Sequence, residues 1–251
     1  MTAANPFGGL KQDGLEETKD RLGGSYLLDT GVYDMTVKLA YAIESANGAK
    51  GTVLTLDNGG REYRETIYVT NRQGENFFLN RDDKSKKVPL PGFTTIDDLC
   101  LCATGVSLSE QEVEEKMVKV YDYDLKAEVP KSVPVITSLL GKQVTLGIVR
   151  ILENKSEKNA AGVYEPIADE REINQIDKVF HTETRLTTPE ARTGMTAGEF
   201  YGKWVEKNTG VTRDARKIKD GQAGKSGRPG ASSGPPKADA QPARTSLFGQ
   251  K

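Results

Sequence analysis

Aromatic and charged side chains are interleaved in the stretch REYRETIYVTNRQGENFFLN, which spans residues 61–80. It holds two tyrosines and two phenylalanines among three arginines and three glutamates. Cations that neutralise phosphates, placed beside rings on which bases stack, are what a protein needs to bind single-stranded nucleic acid. A half-buried strand with one solvated face has the same texture, so the two interpretations compete.

Period-two alternation divides this stretch into two faces. In REYRETIYVT, the apolar end formed by Ile67 and Val69 predicts the core face, which leaves Arg64 and Tyr68 on the polar face. In the following ENFFL segment, the neighbouring phenylalanines must point to opposite faces if the segment is a strand. We therefore expect one of these two rings to be free to stack.

A second stretch, MVKVYDYDL, also combines rings with a cation. Alternation turns its valines inward and places Lys119, Tyr121 and Tyr123 on the outer face. The loop RDDKSKKV adds four cations that could clamp a phosphate backbone. The predicted nucleic-acid-binding residues are Lys38, Arg61, Tyr63, Arg64, Tyr68, Arg72, Phe77, Phe78, Arg81, Lys84, Lys86, Lys87, Lys119, Tyr121 and Tyr123.

Other site chemistry has less support. His181 is the only histidine, and Cys100 and Cys102 are too close for an ordinary disulfide and too few for a structural zinc site. No GxxxxGK[ST] or GxGxxG phosphate loop follows a predicted strand. We therefore predict a protein that is not an enzyme and uses no cofactor or metal. The enzymatic alternative is a Mg²⁺-dependent nuclease that uses Asp122 and Asp124.

The elements that must position the rings are mainly strands. Alternation from Gly31 and the turns SANGAKG, DNGG and NRQG predict an antiparallel meander of four strands, ending with ENFFL. FTTIDDLCLCATG predicts a helix that is capped by Thr94 or Thr95, buries both cysteines and ends at Gly105. MVKVYDYDL and QVTLGIVRILENK predict later strands, with a short helix between them that ends at Gly141.

A last helix is predicted in TAGEFYGKWVEKNTG. Thr196 and Glu199 match a capping box, Phe200 and Trp204 form an apolar face, and Gly210 ends the helix. An isolated helix of this length is marginal in water. We therefore expect it to dock on the body or on a partner.

The charge is unevenly distributed along the chain. The net charge is −1, but nine Lys/Arg and three Asp from Val211 onward give the tail about +6 and the remainder −7. A basic tail on an acidic body favours an anionic partner. The sequence has neither an apolar run long enough for a membrane span nor a signal-peptide core, which predicts an intracellular protein without a membrane partner.

These patterns predict four regions. Residues 1–24 form a flexible arm, 25–182 a nucleic-acid-binding domain, 183–210 a linker plus the short helix, and 211–251 a disordered basic tail. The fold class is mainly β with short helices. A small antiparallel sheet with a helix before its later strands is compatible with a barrel of the oligonucleotide-binding (OB) type.

The runs GVYDMTVKLAYAIESANGAKGTVLTLDNGGREYRETIYVTNRQGENFFL, PLPGFTTIDDLCLCATG, LLGKQVTLGIVRILENK and INQIDKVFH resemble bacteriophage single-stranded DNA-binding proteins of the OB-fold kind. The resemblance covers about Gly31 to His181 and concerns the order of the segments and the pattern of residues in them. It implies coating of exposed strands in DNA replication or recombination, in the cytoplasm of an infected bacterial host, with phage replication or recombination proteins as partners of the termini. Many single-strand binders end in an acidic tail, whereas this tail is basic. The alternative is a protein-interaction or virion component whose basic arm binds a protein.

Overall fold

The computed structural model describes residues 27–122, 125–159 and 162–218. Strands account for 48% and helices for 19% of this part of the chain, which confirms the mainly β prediction. The predicted arm at 1–24 and residues 219–251 of the predicted tail lie outside the described residues, whereas Thr212–Asp214, which the sequence places in the disordered tail, form a strand. The elements are β1 (Gly31–Glu44), β2 (Lys50–Asp57), β3 (Glu62–Tyr68), β4 (Phe77–Leu79), β5 (Lys87–Pro89), α1 (Pro91–Thr104), β6 (Val113–Asp122), β7 (Ala127–Ile136), β8 (Gln143–Lys158), β9 (Tyr164–Phe180), α2 (Thr188–Arg192), α3 (Glu199–Asn208) and β10 (Thr212–Asp214).

The main sheet has eight strands. Its central run is β10-β8-β1-β2-β3, β9 pairs with the other edge of β8, and β7 connects β1 to β6. The first three strands form the predicted antiparallel meander. No backbone pairing joins β3 to β9 in the described residues, so the sheet is not closed into a barrel.

The predicted fourth strand of the meander is wrong. β4 pairs with β5 in a separate two-stranded sheet instead of with β3. The start of α1 occupies the place beside β3. Its Gly92 lies so close to the end of the strand that an added Cβ would collide with the carbonyl oxygen of Tyr68. The helix therefore covers the edge on which a fourth strand would pair.

A carboxylate spans part of the opening between β3 and β9. Oε2 of Glu65 accepts a hydrogen bond from the Ile176 backbone N–H at 2.9 Å and another from the Tyr63 hydroxyl at 2.6 Å. Burial raises the pKa of this carboxyl. Helix α1 contacts both β3 and β9 and packs Ile96 and Leu99 into the same core.

Apolar side chains are buried on both faces of the sheet. The larger core lies on the side of α1 and contains Met35, Val37, Leu54, Leu56, Ile67, Ile136, Leu146, Ile148 and Val179, among others. The opposite face buries a smaller cluster of Tyr41, Val53, Val133 and Val135, with Val118 and Val120 of β6 packed against it. The β6–β7 hairpin thus continues the sheet and adds its valines to this second cluster.

Helix α1 starts earlier than predicted. Its N-cap is Leu90, in an extended conformation, and a proline occupies the first helical position, where the missing N–H costs nothing. The hydroxyls of Thr94 and Thr95 bond back to carbonyls of the preceding turn instead of capping the helix. Gly105 ends the helix with φ of 79°, as predicted. Both cysteines are buried on it, also as predicted.

The segment before Gly141 holds less helix than predicted. β7 runs to Ile136 and is followed by a single-turn 3-10 helix at Thr137–Leu139. The strand extends this far because Val135 pairs with Tyr41 of β1 and Ile136 packs in the larger core. Within the described residues, no helix is long and apolar enough to cross a membrane.

Helix α3 docks on the body. Trp204 is buried against β8, and its ring lies so close to Gly147 that no larger residue fits at that position. Its Nε1–H donates a hydrogen bond to Asp177 at 2.7 Å. The predicted capping box at its start is wrong, because the residue at its N-cap is Gly198. The capping box of the structure joins Thr187 and Glu190 at α2.

Candidate nucleic-acid interface

The outer face of β3 carries a cation and a ring, as the alternation predicts. Ile67 and Val69 are buried, whereas Arg64 and Tyr68 are exposed, with 48% of Tyr68 accessible. Arg64 is held by a hydrogen bond from Nη2 to the hydroxyl of Tyr41 at 3.0 Å. This face therefore presents a ring at the end of the strand and a fixed guanidinium in its middle.

Tyr63 does not belong to this face. Its side chain is only 9% exposed and packs in the larger core, and burial raises its pKa. Its hydroxyl donates to Glu65, which lies on the same side of the strand. The ring has no exposed face on which a base could stack, so its inclusion among the predicted binding residues is corrected.

The β4–β5 hairpin lies beside Tyr68. The Leu90 N–H, just after the hairpin, donates to the Asn76 carbonyl at 2.9 Å, and Gly92 contacts the Tyr68 backbone two residues later. Phe78 is 45% exposed. Phe77 is half-buried, with the ammonium of Lys87 lying 4.1 Å from its ring centroid in a cation–π contact.

Further cations collect at the same end of the sheet. The Arg72 carbonyl lies against Gly48 in the turn between β1 and β2. Lys86 pairs with Asp83 at 3.0 Å; hydrogen bonds from Ser85 and this ammonium lower the pKa of the Asp83 carboxyl. We call the resulting set the hairpin surface; it consists of Tyr68, Arg72, Phe77, Phe78, Arg81, Lys84, Lys86 and Lys87.

Sequence reasoning missed Lys50, which lies beside this surface. Its backbone N–H donates to the Thr70 hydroxyl at 2.8 Å, and its carbonyl accepts from Val69 and Thr70. The signal was present in the predicted turn between β1 and β2. A hairpin there brings the first residue of β2 level with the end of β3.

Two predicted cations lie at the other end of β3. Arg61 comes immediately before the strand, and Lys38 forms an ion pair with Asp57 at 3.2 Å. The carboxyl of Asp57 has a lowered pKa because it accepts hydrogen bonds from Lys38 and from two turn amides. The structure therefore does not bring these two cations to the hairpin surface.

The ring-and-cation face of β6 lies on the opposite side of the sheet from that of β3. Directly paired residues share a face, and one row of them crosses five strands from β3 to β6: Thr66, Val53, Tyr41, Val135 and Glu114. Tyr68 shares this face, whereas Lys119 and Tyr121 alternate to the reverse side. Val118 and Val120 turn inward, as predicted, while Tyr123 lies outside the described residues.

The described part of the chain contains no candidate metal centre. No group of three or more His, Cys, Asp or Glu side chains there is placed to hold an ion. The two aspartates of the nuclease alternative are not tested by this, because Asp124 and the side chain of Asp122 lie outside the described residues.

No protein-family model matches the chain, and no curated protein matches its sequence.

Proposed function

We propose that the protein binds single-stranded DNA through the hairpin surface and coats exposed strands without catalysing a reaction on them. The observation that carries the proposal is the placement of two exposed rings, Tyr68 and Phe78, among five cations at one end of the sheet. Rings stack on bases of any sequence and cations neutralise phosphates, so this combination predicts tight binding with little sequence preference.

The exposed rings support a stacking role. Tyr68 and Phe78 each keep nearly half of their surface in water, although burial of an aromatic ring is normally favourable. Stacking of a base on such a ring contributes about 1–3 kcal/mol. Phe77 is less free to stack because Lys87 already lies over it, but that ammonium is well placed to meet a phosphate.

The local charge favours a single strand. Residues 68–90 contain five Lys/Arg and three Asp/Glu, a net charge of +2, although the chain before residue 211 carries −7. A flexible strand can follow a small cationic surface. A stiff duplex would bring more phosphates towards the acidic remainder of the body, which opposes its binding.

The architecture supports the same site. OB-type barrels bind oligonucleotides on the face of their second and third strands and through adjoining loops. A three-stranded antiparallel meander followed by a helix is compatible with such a barrel, and we propose an open version in which Glu65 and α1 occupy the gap. Tyr68 lies on the outer face of β3, next to the β1–β2 turn.

The biological setting is part of the proposal. We propose that the protein coats strands during phage DNA replication or recombination, in the cytoplasm of the infected host. The termini, with the basic tail from residue 211, are then the segments that contact replication or recombination proteins. This part depends on the resemblance in segment order and residue pattern described above.

A salt titration tests the proposal. Anisotropy of labelled oligo-dT should show tight binding at low salt that weakens steeply with added salt, and a duplex of equal length should bind more weakly. Replacing Lys84, Lys86 and Lys87 by Gln should flatten the slope of log K against log salt by about 2, at roughly 0.7 for each phosphate contact.

A matched triple variant controls for net charge. Replacing Lys131, Lys203 and Lys207 by Gln removes the same charge from exposed positions outside the hairpin surface and should leave the slope nearly unchanged. Absence of binding to oligo-dT at low salt would reject the proposal. So would equal affinity for the duplex, or equal effects of the two triple variants.

A further inference from the structure

β6 is an open edge of the sheet. In the described residues it pairs with β7 alone, over ten residues and without a bulge or a proline. Its reverse face, which we call the β6 stripe, consists of Val113, Glu115, Met117, Lys119 and Tyr121. Met117 is 68% and Tyr121 is 40% exposed. A long edge strand with exposed apolar side chains and no proline is a template on which another strand can pair.

The prolines of β7 fix the direction of the backbone groups of β6. Pro130 pairs with Lys119 and Pro134 with Glu115. A proline has no N–H, so it cannot exchange the two bonds of a hydrogen-bonded pair. The N–H and C=O groups of Lys119 and Glu115 must therefore point away from β7. By alternation, Val113, Glu115, Met117 and Lys119 direct their backbone donors and acceptors to the open edge.

The stripe is complementary to itself in one antiparallel register. When Met117 lies opposite Met117 of a second copy, Glu115 lies opposite Lys119 and Val113 opposite Tyr121, and the two-fold axis repeats both pairs. Opposite charges and apolar–aromatic pairs directly across an antiparallel pair are stabilising. A shift of two residues either way sets Glu115 or Lys119 opposite Met117 and loses both matches.

The other face of the strand tolerates this register. It would place Glu114 opposite Val120 and Lys116 opposite Val118, and only at the ends of the contact does Asp122 lie opposite another acidic residue, Glu112. Glu114 and Lys116 keep their own ion pair at 2.9 Å. The register is thus favourable on the reverse face and, apart from the acidic pair at each end, neutral on the side of the second cluster.

We propose that β6 pairs antiparallel with β6 of a second copy, in the register centred on Met117, to form a two-fold symmetric dimer. The contact is isologous, as closed dimers require. It joins the sheets of the two copies into one and leaves a hairpin surface at each far end. This inference does not depend on DNA binding, because it follows from the edge and its residues alone.

Cysteine cross-linking tests the register. Residues opposite each other in a hydrogen-bonded antiparallel pair have Cα atoms about 5.5 Å apart, within the roughly 4.4–6.8 Å that a disulfide spans. Met117→Cys should therefore form a disulfide-linked dimer under mild oxidation. Glu115→Cys is the matched control: its symmetry mate is four residues further along the strand, about 14 Å at roughly 3.4 Å per residue, so it should stay monomeric on a non-reducing gel. The native thiols are buried and should not interfere.

Charge reversal tests the same contact in solution. Light scattering of the full chain should give twice its 27.4 kDa mass. Glu115→Lys or Lys119→Glu alone should weaken association at least tenfold, and the double reversal should restore it. Circular dichroism of each variant should stay unchanged. A wild-type mass of one chain at all concentrations, equal cross-linking of both cysteine variants, or a double reversal that does not restore association would each overturn the proposal.

Discussion

β3 and β6 are the outer strands of one run of the sheet, β3-β2-β1-β7-β6, yet their outer edges differ. The edge of β3 is covered by the start of α1 at Gly92 and bridged to β9 by Glu65. The edge of β6 faces no other strand among the described residues. Both strands combine tyrosine and cations in alternation, so their local sequences do not distinguish them.

The difference shows that the state of the edge decides what a ring-and-cation face can do. With its edge covered, β3 can offer only side chains, which suits a ligand that stacks and carries phosphates. With its edge open, β6 offers backbone donors and acceptors as well, which suits another strand. Of the fifteen residues predicted as one binding set, eight form the hairpin surface, whereas Lys119 and Tyr121 lie on the β6 stripe.

The largest effect should come from disturbing the covered edge. Gly92→Ala places a Cβ against the Tyr68 carbonyl oxygen, a backbone atom that cannot move aside freely. We expect a loss of about 3 kcal/mol in the free energy of unfolding, measured by urea denaturation. Gly60→Ala, where the added Cβ meets nothing within 4 Å, should change it by less than about 0.5 kcal/mol. Equal effects would show that α1 does not cover β3.

Two exposed tyrosines allow the surfaces to be compared directly. Tyr68→Ala should weaken binding to oligo-dT by about 1–3 kcal/mol and leave the dimer intact. Tyr121→Ala, a truncation of the same size on β6, should weaken the dimer and change intrinsic DNA affinity little. Anisotropy and light scattering on both variants measure the two properties. If Tyr121→Ala weakens DNA binding as much as Tyr68→Ala does, the division into two surfaces is wrong.

The smallest effect concerns the carboxylate that bridges the covered edge. Since burial raises the pKa of Glu65 in the folded state, the protonated form is favoured there. The stabilisation that the protonated Glu65 contributes is fully present below its unfolded pKa, near 4.5. It is lost as the pH rises through the raised pKa of the folded state. Glu65→Gln keeps an acceptor but does not titrate, so its stability relative to wild type should grow from pH 4 towards neutrality. Glu62→Gln, exposed on the same strand, should show no such trend.

Local periodicity was sufficient for part of the site. The inward Ile67 and outward Tyr68 follow from the pleat alone, as do the inward valines of β6. Local periodicity could not predict that the ring-and-cation faces of β3 and β6 lie on opposite sides of the sheet. This relation depends on the pairing of Tyr41 with Val135, almost a hundred positions apart. The burial of Tyr63 follows from the same alternation, because residues 63, 67 and 69 share the core face, so its place among the predicted binding residues disagreed with the pattern itself.

Helix caps show the same limit. Thr187 and Thr196 are each followed three residues later by glutamate, so the local pattern is identical. In the structure Glu190 serves both helices: one carboxylate oxygen accepts from the Thr187 N–H at 2.9 Å, and the other accepts from the Phe200 N–H at 2.7 Å. A long-range contact has replaced the local cap of α3.

The burial of Trp204 supplies an optical reporter of one part of the molecule. It is the only tryptophan of the chain, and it lies between α3 and β8, away from the hairpin surface and from β6. Its emission therefore follows the docking of α3, whereas circular dichroism follows the strands. Unfolding recorded by the two signals can show whether α3 leaves first, as a separate cooperative unit, or together with the sheet.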